Sequence, residues 1–253
     1  MKRIWLTGAS SGIGAAMADI LLSQGHFLAV SARNAQALEK LHTAFPQQVL
    51  ELPGDLTEPD QVRAMAEQIE EAWGYLDQVI LNAGTCEYVD ASHFEANMIE
   101  RVMRANVFSA AYCVEAALPL LRKAAQPHLV AVCSSVTYLP LPRSEAYGAS
   151  KAAMRYLFQS LRIDVAHEGI DVTLVSPGFV DTPLTQHNDF PMPMRWPVSK
   201  AAVYITSRLD KRPLEIAFPG PFIAILRLLA ALPQRLQLLL GKRMARPAKE
   251  ASS

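Results

Sequence analysis

The sequence is poor in cysteine and carries no excess charge of either sign. Its three cysteines, Cys86, Cys113 and Cys133, lie far apart, which predicts free thiols in a reducing compartment rather than a disulfide framework or a CxxC metal site. The six histidines show no HxxxH or HExxH spacing, so we expect no metal site. Because 24 Lys and Arg residues balance 24 Asp and Glu residues, we expect no nucleic-acid partner.

Long hydrophobic runs are also missing. No stretch of about 20 uninterrupted apolar residues is present, which argues against a transmembrane helix. A predicted strand begins so close to Met1 that we expect no signal peptide. A GxSxG elbow is absent, which disfavours a Ser-His-Asp hydrolase. Apolar residues make up 51% of the 253-residue chain, enough for one domain with a buried core. We therefore expect a cytoplasmic protein.

Strand-like and helix-like patterns alternate along the chain. Short apolar runs predict strands at 3–7, 27–31, 48–52, 76–81, 128–133, 170–175 and 214–218. The helical patterns between them predict an α/β fold with a Rossmann-like, doubly wound, mostly parallel seven-stranded sheet flanked by helices. We expect residues 1–219 to form one dinucleotide-binding catalytic domain, and residues 220–253 to form an apolar helical extension and basic tail of the same domain.

A glycine-rich loop, TGASSGIG at residues 7–14, lies between the first predicted strand and the first predicted helix. Its glycines permit a sharp turn, a close approach of the backbone to a phosphate, and tight packing of helix on strand. The free N–H groups and positive dipole end of the helix favour a pyrophosphate. The predicted cofactor contacts in this loop are Gly8, Ser10, Ser11, Gly12, Ile13 and Gly14.

The end of the second predicted strand bears on the choice of cofactor. Dinucleotide-binding folds often carry an Asp or Glu here, which binds the ribose 2′-hydroxyl of NAD. This chain has Ser31, Ala32 and Arg33 instead. Because a guanidinium pairs well with a phosphate, Arg33 predicts a preference for NADP(H) over NAD(H). The alternative is an arginine that only faces solvent.

Tyr147 and Lys151 are the candidate acid–base pair. They lie four residues apart in a helical pattern, so their side chains share one face. A free phenol titrates near ~10, and a neighbouring ammonium is expected to lower that pKa. A phenol tuned in this way can give a proton to an alkoxide or take one from an alcohol.

Four motifs in this order resemble the classical short-chain dehydrogenase/reductase family, from about residue 2 to about residue 219. They are the TGASSGIG loop, the NAG triplet at residues 82–84, the serine pair at 134–135 and the YxxxK spacing. The resemblance implies hydride transfer between the nicotinamide and a carbonyl or secondary alcohol. It places the adenine beside Asp55 and Leu56, although Asp55 is also a candidate helix-cap or turn residue. The further implied cofactor contacts are Asn82, Ala83, Gly84, Tyr147, Lys151, Pro177, Val180 and Thr182.

The resemblance also assigns catalytic roles. Lys151 binds the nicotinamide ribose, and Asn106 holds a water linked to Lys151, unless Asn106 is only a structural hydrogen-bonding residue. A serine binds the substrate carbonyl: the local SSV context favours Ser135, whereas the spacing to Tyr147 favours Ser134. We predict Ser135.

The sequence also predicts the segments that close the substrate pocket and the partners of the protein. Residues 184–197 predict an irregular apolar lid over a small hydrophobic carbonyl or alcohol substrate. Residues 221–240, broken by Pro233, predict two short amphipathic helices with a basic flank that includes Arg246. These helices pack on the core or a second subunit, or make a peripheral membrane contact. The resemblance implies a homodimer or homotetramer through helices at 97–122 and 149–168.

The predicted function is that of an NADP(H)-dependent oxidoreductase. The alternative is a redox-sensing protein that binds NADP(H) without turnover. Such a protein commonly lacks part of the tyrosine–lysine–serine set, which is complete here.

Overall fold

A computed structural model describes residues 1–186, 188 and 190–245. Arg246, predicted as part of the basic flank, lies outside the described residues. A seven-stranded parallel sheet runs through the described part in the order β3-β2-β1-β4-β5-β6-β9, which confirms the predicted fold class. Its strands are β1 (Arg3–Thr7), β2 (Phe27–Ala32), β3 (Val49–Pro53), β4 (Gln78–Leu81), β5 (His128–Val132), β6 (Asp171–Pro177) and β9 (Glu215–Phe218), and a small second sheet pairs β7 (Val180–Asp181) with β8 (Trp196–Pro197).

Helices cover both faces of the large sheet, and the strands are therefore apolar on both sides. Along β1, Trp5 packs into one core while Ile4 and Leu6 pack into the other, as the two-residue period of a strand requires. The helices are α1 (Gly12–Ser23), α2 (Ala35–Ala44), α3 (Pro59–Trp73), α4 (Ala96–Met103), α5 (Ser109–Leu121), α6 (Glu145–Asp164), α7 (Pro183–Gln186), α8 (Val198–Leu209), α9 (Gly220–Ala230) and α10 (Gln234–Met244).

The strand order reverses between β1 and β4. The chain builds β2 and β3 on one side of β1, and then returns to place β4 on the other side. In open α/β sheets a ligand-binding crevice forms at the carboxyl ends of the strands that flank such a reversal. Gly8 follows β1 and Asn82 follows β4, so both motifs meet at this crevice.

The long helix predicted at 97–122 is wrong in one respect. The structure interrupts it with a π-helical turn, Arg104–Phe108, between α4 and α5. A π turn inserts one residue into the helical ladder, and such insertions occur often at functional sites. Here the turn carries Asn106, whose side chain is fully buried.

The C-terminal segment forms α9 and α10 on either side of Pro233. Phe222, Ile223 and Leu226 of α9 are buried. The side-chain amide of Gln237 donates to the carbonyls of Ala230 and Leu232 at 3.0 and 2.8 Å, which ties α10 back to α9. Within the described ranges, no helix is both long and apolar enough to cross a bilayer.

Candidate active site

The glycine-rich loop has the backbone geometry that a phosphate-binding turn needs. Gly8 and Gly12 have φ angles of +70° and +55°, a region that side chains disfavour. A β-carbon at Gly14 would clash with the Gly8 carbonyl and the Asn82 amide, so α1 can pack this closely on β1 only with glycine there. Ser11, the N-cap of α1, makes no side-chain cap bond. The first N–H groups of α1 are therefore available to an anion.

Asn82 connects the two strand ends of the crevice. Its side-chain amide donates to the carbonyls of Thr7 and Gly8 at 3.2 and 3.1 Å. In return, the buried hydroxyl of Thr7 accepts the backbone N–H groups of Asn82 and Ala83 at 3.0 and 3.1 Å. The NAG triplet thus holds the glycine-rich loop in place.

A cleft of about 580 Å³ runs along this crevice. All the predicted cofactor residues except Gly14 line it, and Gly14 lies beneath the loop. The lining residues that were predicted are Gly8, Ser10, Ser11, Gly12, Ile13, Arg33, Asp55, Leu56, Asn82, Ala83, Gly84, Tyr147, Lys151, Pro177, Val180 and Thr182. The positive-φ glycines, the uncapped helix end and this lining fit a dinucleotide.

Two polar residues of the cleft wall, Arg33 and Asp55, follow the ends of β2 and β3. Arg33 is exposed, and no hydrogen bond or ion pair joins it to another described residue. Asp55 accepts hydrogen bonds from the backbone N–H and hydroxyl of Thr57, at 2.9 and 2.8 Å. Asp55 is therefore a turn residue, and the N-cap of α3 is Glu58.

Tyr147 and Lys151 lie in the first two turns of α6, which begins earlier than the predicted residue 149. The Lys151 ammonium lies 5.9 Å from the centre of the Tyr147 ring. It is buried and donates to the carbonyl of Val132, at the end of β5, at 3.0 Å. This bond holds the lysine at the carboxyl edge of the sheet.

Burial controls the titration of both groups. Loss of water raises the pKa of Tyr147 well above its ordinary value, a nearby Cys86 thiol adds to the rise, and a hydrogen bond with Ser134 opposes it. Burial lowers the pKa of Lys151. The net shift of the Tyr147 pKa is therefore upward, opposite to the lowering that was predicted from Lys151, because burial is its largest cause. Tyr147 keeps its proton at neutral pH.

The serine beside Tyr147 is Ser134, not the predicted Ser135. A hydrogen bond joins the side chains of Ser134 and Tyr147. Ser134 is the N-cap of a short 3₁₀ helix, Ser135–Thr137, and its hydroxyl accepts the backbone N–H of Val136 at 3.2 Å. Ser134 lines both the cleft and the neighbouring cavity, whereas Ser135 lines only the cavity. The signal that identifies Ser134 is its spacing to the tyrosine.

Asn106 acts as a junction between three segments. Its carbonyl accepts the N–H of Thr85 at 2.7 Å, and its amide donates to the Thr85 carbonyl at 2.9 Å and to the Ser150 hydroxyl at 2.8 Å. A β-carbon at Gly84 would lie 2.9 Å from the Asn106 carbonyl oxygen and 3.3 Å from the Lys151 nitrogen. Asn106 therefore lies close to Lys151 across Gly84, and its hydrogen bonds to Thr85 and Ser150 also give it a structural role.

A second cavity, of about 630 Å³, adjoins the cleft at Ser134 and Tyr147. Its wall is largely apolar and draws on the loop after β5, the lid segment and α9. Residues in this wall that the motifs did not identify include Cys86, Tyr88, Leu139, Leu141, Phe179, Phe190, Phe222, Ile225, Leu226 and Leu229.

Aromatic side chains organise this wall. Tyr88 meets Phe190 edge-on at 5.3 Å, and Phe179 contacts Phe190 at 6.0 Å and Phe222 of α9 at 5.6 Å. The Tyr88 hydroxyl donates to the Asn188 carbonyl oxygen at 2.8 Å. The predicted lid at 184–197 thus contacts the cavity through Asn188 and Phe190, whereas its His187 and Asp189 lie outside the described residues.

A phosphate-binding loop at the reversal of a parallel sheet, next to a tyrosine, a lysine and a serine at the mouth of an apolar cavity, defines a nicotinamide-dependent oxidoreductase. Comparison with known families gives the same class. The family model described as short chain dehydrogenase matches residues 2–191. The chain belongs to the short-chain dehydrogenase/reductase family, whose members use NAD(P)(H).

Individual relatives agree with this assignment. An uncharacterized oxidoreductase of Myxococcus xanthus is 30% identical over 234 residues, which cover 91% of this chain and 92% of the relative. An 11-beta-hydroxysteroid dehydrogenase 1A of Arabidopsis thaliana is 32% identical over 194 residues, 75% of this chain but 55% of the relative. The crystal structure of a short-chain dehydrogenase from Streptomyces avermitilis superposes with a TM-score of 0.82 at 26% identity, with 96% of both chains covered.

Proposed function

We propose that the protein is an NADP(H)-dependent reductase of hydrophobic carbonyl compounds. The observation that carries the proposal is the position of Tyr147, which lies at the junction of the dinucleotide cleft and the apolar cavity. A carbonyl group bound in the cavity beside Tyr147 would lie next to the cleft in which we propose that the nicotinamide binds.

The chemistry divides between cofactor and protein. A bound nicotinamide would supply a hydride to the carbonyl carbon. Ser134 donates a hydrogen bond to the carbonyl oxygen, which polarises the bond and stabilises the developing alkoxide. Tyr147 transfers its proton to that oxygen, and the product is the alcohol. Lys151 would hold the nicotinamide ribose, and its ammonium would stabilise the phenolate that forms on Tyr147.

The protonation state of Tyr147 fits the reductive direction. Burial keeps the Tyr147 phenol protonated at neutral pH, and a protonated phenol is the form that acts as an acid.

Arg33 supports NADP(H) as the cofactor. It is exposed, it lines the cleft, and no other described residue pairs with it. A 2′-phosphate would give its guanidinium a charge-assisted partner. No acidic residue stands at the end of β2 to bind a 2′-hydroxyl.

The substrate we propose is bulky and apolar. The cavity wall carries aromatic and leucine side chains from three segments, and its volume lies in the range that holds drug-sized ligands. The Arabidopsis relative is named for a hydroxysteroid. We therefore propose a substrate of about the size of a steroid or a lipid.

Replacement of Tyr147 by Phe tests the reaction. With NADPH and ketones that range from cyclohexanone to a steroid ketone, the variant should bind NADPH like the wild type but reduce the ketones at least about a hundredfold more slowly. Equal turnover by Tyr147→Phe contradicts the mechanism. If the wild type binds NADPH and reduces none of the ketones, the non-catalytic redox-sensing alternative is favoured instead.

A further inference from the structure

Charge is unevenly distributed between the two parts of the sequence. Residues 1–219 contain 18 Lys and Arg against 23 Asp and Glu, whereas residues 220–253 contain 6 Lys and Arg against one Glu. From Gly220 to Ala245 the sequence has no acidic residue. The segment α9–α10 carries four of these basic residues, Arg227, Arg235, Lys242 and Arg243, and no acidic residue, on a protein that is otherwise acidic.

The same segment exposes apolar side chains. Leu228 of α9 is 69% exposed and Leu238 of α10 is 59% exposed. Ile225, Leu236 and Leu239 are also exposed. On α10, Leu238 shares a helix face with Arg235 and Lys242, three and four residues away. Exposed leucines between basic residues on short helices are typical of a segment that lies in a membrane interface.

The substrate cavity opens at this segment. Ile225 and Met244 both line the cavity, and they are 46% and 47% exposed. Arg243 and Ala245 line it as well. Side chains that are shared by the cavity wall and the outer surface form an entrance, and this entrance lies among the exposed leucines and basic residues.

We propose that α9 and α10 dock on the surface of an anionic phospholipid bilayer and that the substrate enters the cavity directly from the lipid. Leucine side chains would enter the acyl boundary, and Arg235 and Lys242 would contact lipid phosphates. The docking depends only on the surface of α9–α10, whereas the entry of substrate rests on the proposed reductase function. The basic residues and the lack of acidic ones disfavour pairing of this face with the same face of a second copy, because two such surfaces repel each other.

Vesicle co-sedimentation of the full chain, without cofactor, tests the docking. We expect binding to phosphatidylcholine vesicles that contain about a third phosphatidylglycerol, and much weaker binding to phosphatidylcholine alone or in high salt. The double variant L228E/L238E should lose at least about tenfold in binding to the anionic vesicles. The variant R235Q/K242Q should bind more weakly and lose part of the salt dependence.

Two matched controls guard against nonspecific effects. Leu214 is 67% exposed outside the segment, so L214E should bind like the wild type, and so should K211Q, which removes an exposed charge elsewhere. Far-UV circular dichroism and thermal unfolding that match the wild type show that the fold of each variant is intact. Absence of wild-type binding to anionic vesicles overturns the proposal, as does equal binding by L228E/L238E. The proposal is also overturned if the wild type does not bind vesicles but forms dimers that the L228E/L238E substitutions convert to monomers. That result would assign the face to contact with a second copy of the chain.

Discussion

The carboxylate of Glu215 accepts two hydrogen bonds from the guanidinium of Arg155, at 2.7 and 3.1 Å. Arg155 lies one turn beyond Lys151 on α6, and Glu215 begins β9. The same carboxylate accepts hydrogen bonds from Ser176 and Tyr138, both at 2.6 Å, and from Arg227 of α9 at 3.1 Å. One acidic group thus joins the catalytic helix, the sheet edge, the loop that follows β5 and the C-terminal segment.

Glu215→Gln should destabilise the fold in a pH-dependent way. Burial opposes ionisation, but the bonds from Arg155, Ser176 and Tyr138 outweigh it and lower the Glu215 pKa to about 2. Because the folded-state pKa lies below the unfolded value, this stability is present above about pH 4.5 and is lost as the pH falls toward 2. In urea unfolding at pH 7, the free energy of unfolding of Glu215→Gln should be lower than that of the wild type by on the order of 3 kcal/mol. This difference should be smaller at pH 3.

Glu39→Gln is the control for this measurement. Glu39 is an exposed residue of α2, and a surface change of this kind stays within about 0.5 kcal/mol. If Glu215→Gln lowers the free energy of unfolding by the same amount at pH 7 and pH 3, then packing rather than the charge of Glu215 stabilises the contacts among these segments.

Ser134→Ala and Ser135→Ala should lower kcat to different extents. Ser134→Ala removes the hydroxyl that bonds Tyr147, and a lost donor of this kind costs about a hundredfold in kcat. Ser135→Ala should cost less than about tenfold. Steady-state rates with NADPH and one reduced ketone decide between them. If Ser135→Ala shows the larger loss, the assignment of Ser134 is wrong.

Gly84→Ala should impair turnover through crowding. A β-carbon there presses on the Asn106 carbonyl oxygen and on the Lys151 nitrogen, so one of the two must move. We expect a fall in kcat of about tenfold or more, since displacements of about 1 Å are costly in active sites. Gly241→Ala is the control, because nothing lies within 4 Å of its added carbon and alanine favours a helix. Equal kcat values for both variants would contradict the role of this contact.

Local patterns predict the parts of this protein that depend on nearby residues. The alternation of strands and helices, the TGASSGIG turn and the spacing of Tyr147 and Lys151 are of this kind. The spacing to Tyr147 favours Ser134 and the local SSV context favours Ser135, so the sequence patterns conflict at this point, and the 3₁₀ turn that follows Ser134 decides between them. The π turn at Asn106 depends on packing between segments and is not visible in a pattern. The raised pKa of Tyr147 reflects burial. The contribution of Phe222 to the cavity depends on where α9 folds back.

The central claim is that the cleft binds NADP(H) through Arg33, and a titration with NADPH and with NADH tests it most directly. We expect the wild type to bind NADPH more tightly. Arg33→Ala should weaken NADPH binding by about tenfold or more, because it removes a charge-assisted contact, and should leave NADH binding unchanged. Arg63→Ala, an exposed arginine of α3, should change neither. Equal or tighter binding of NADH by the wild type would contradict the assignment of NADP(H).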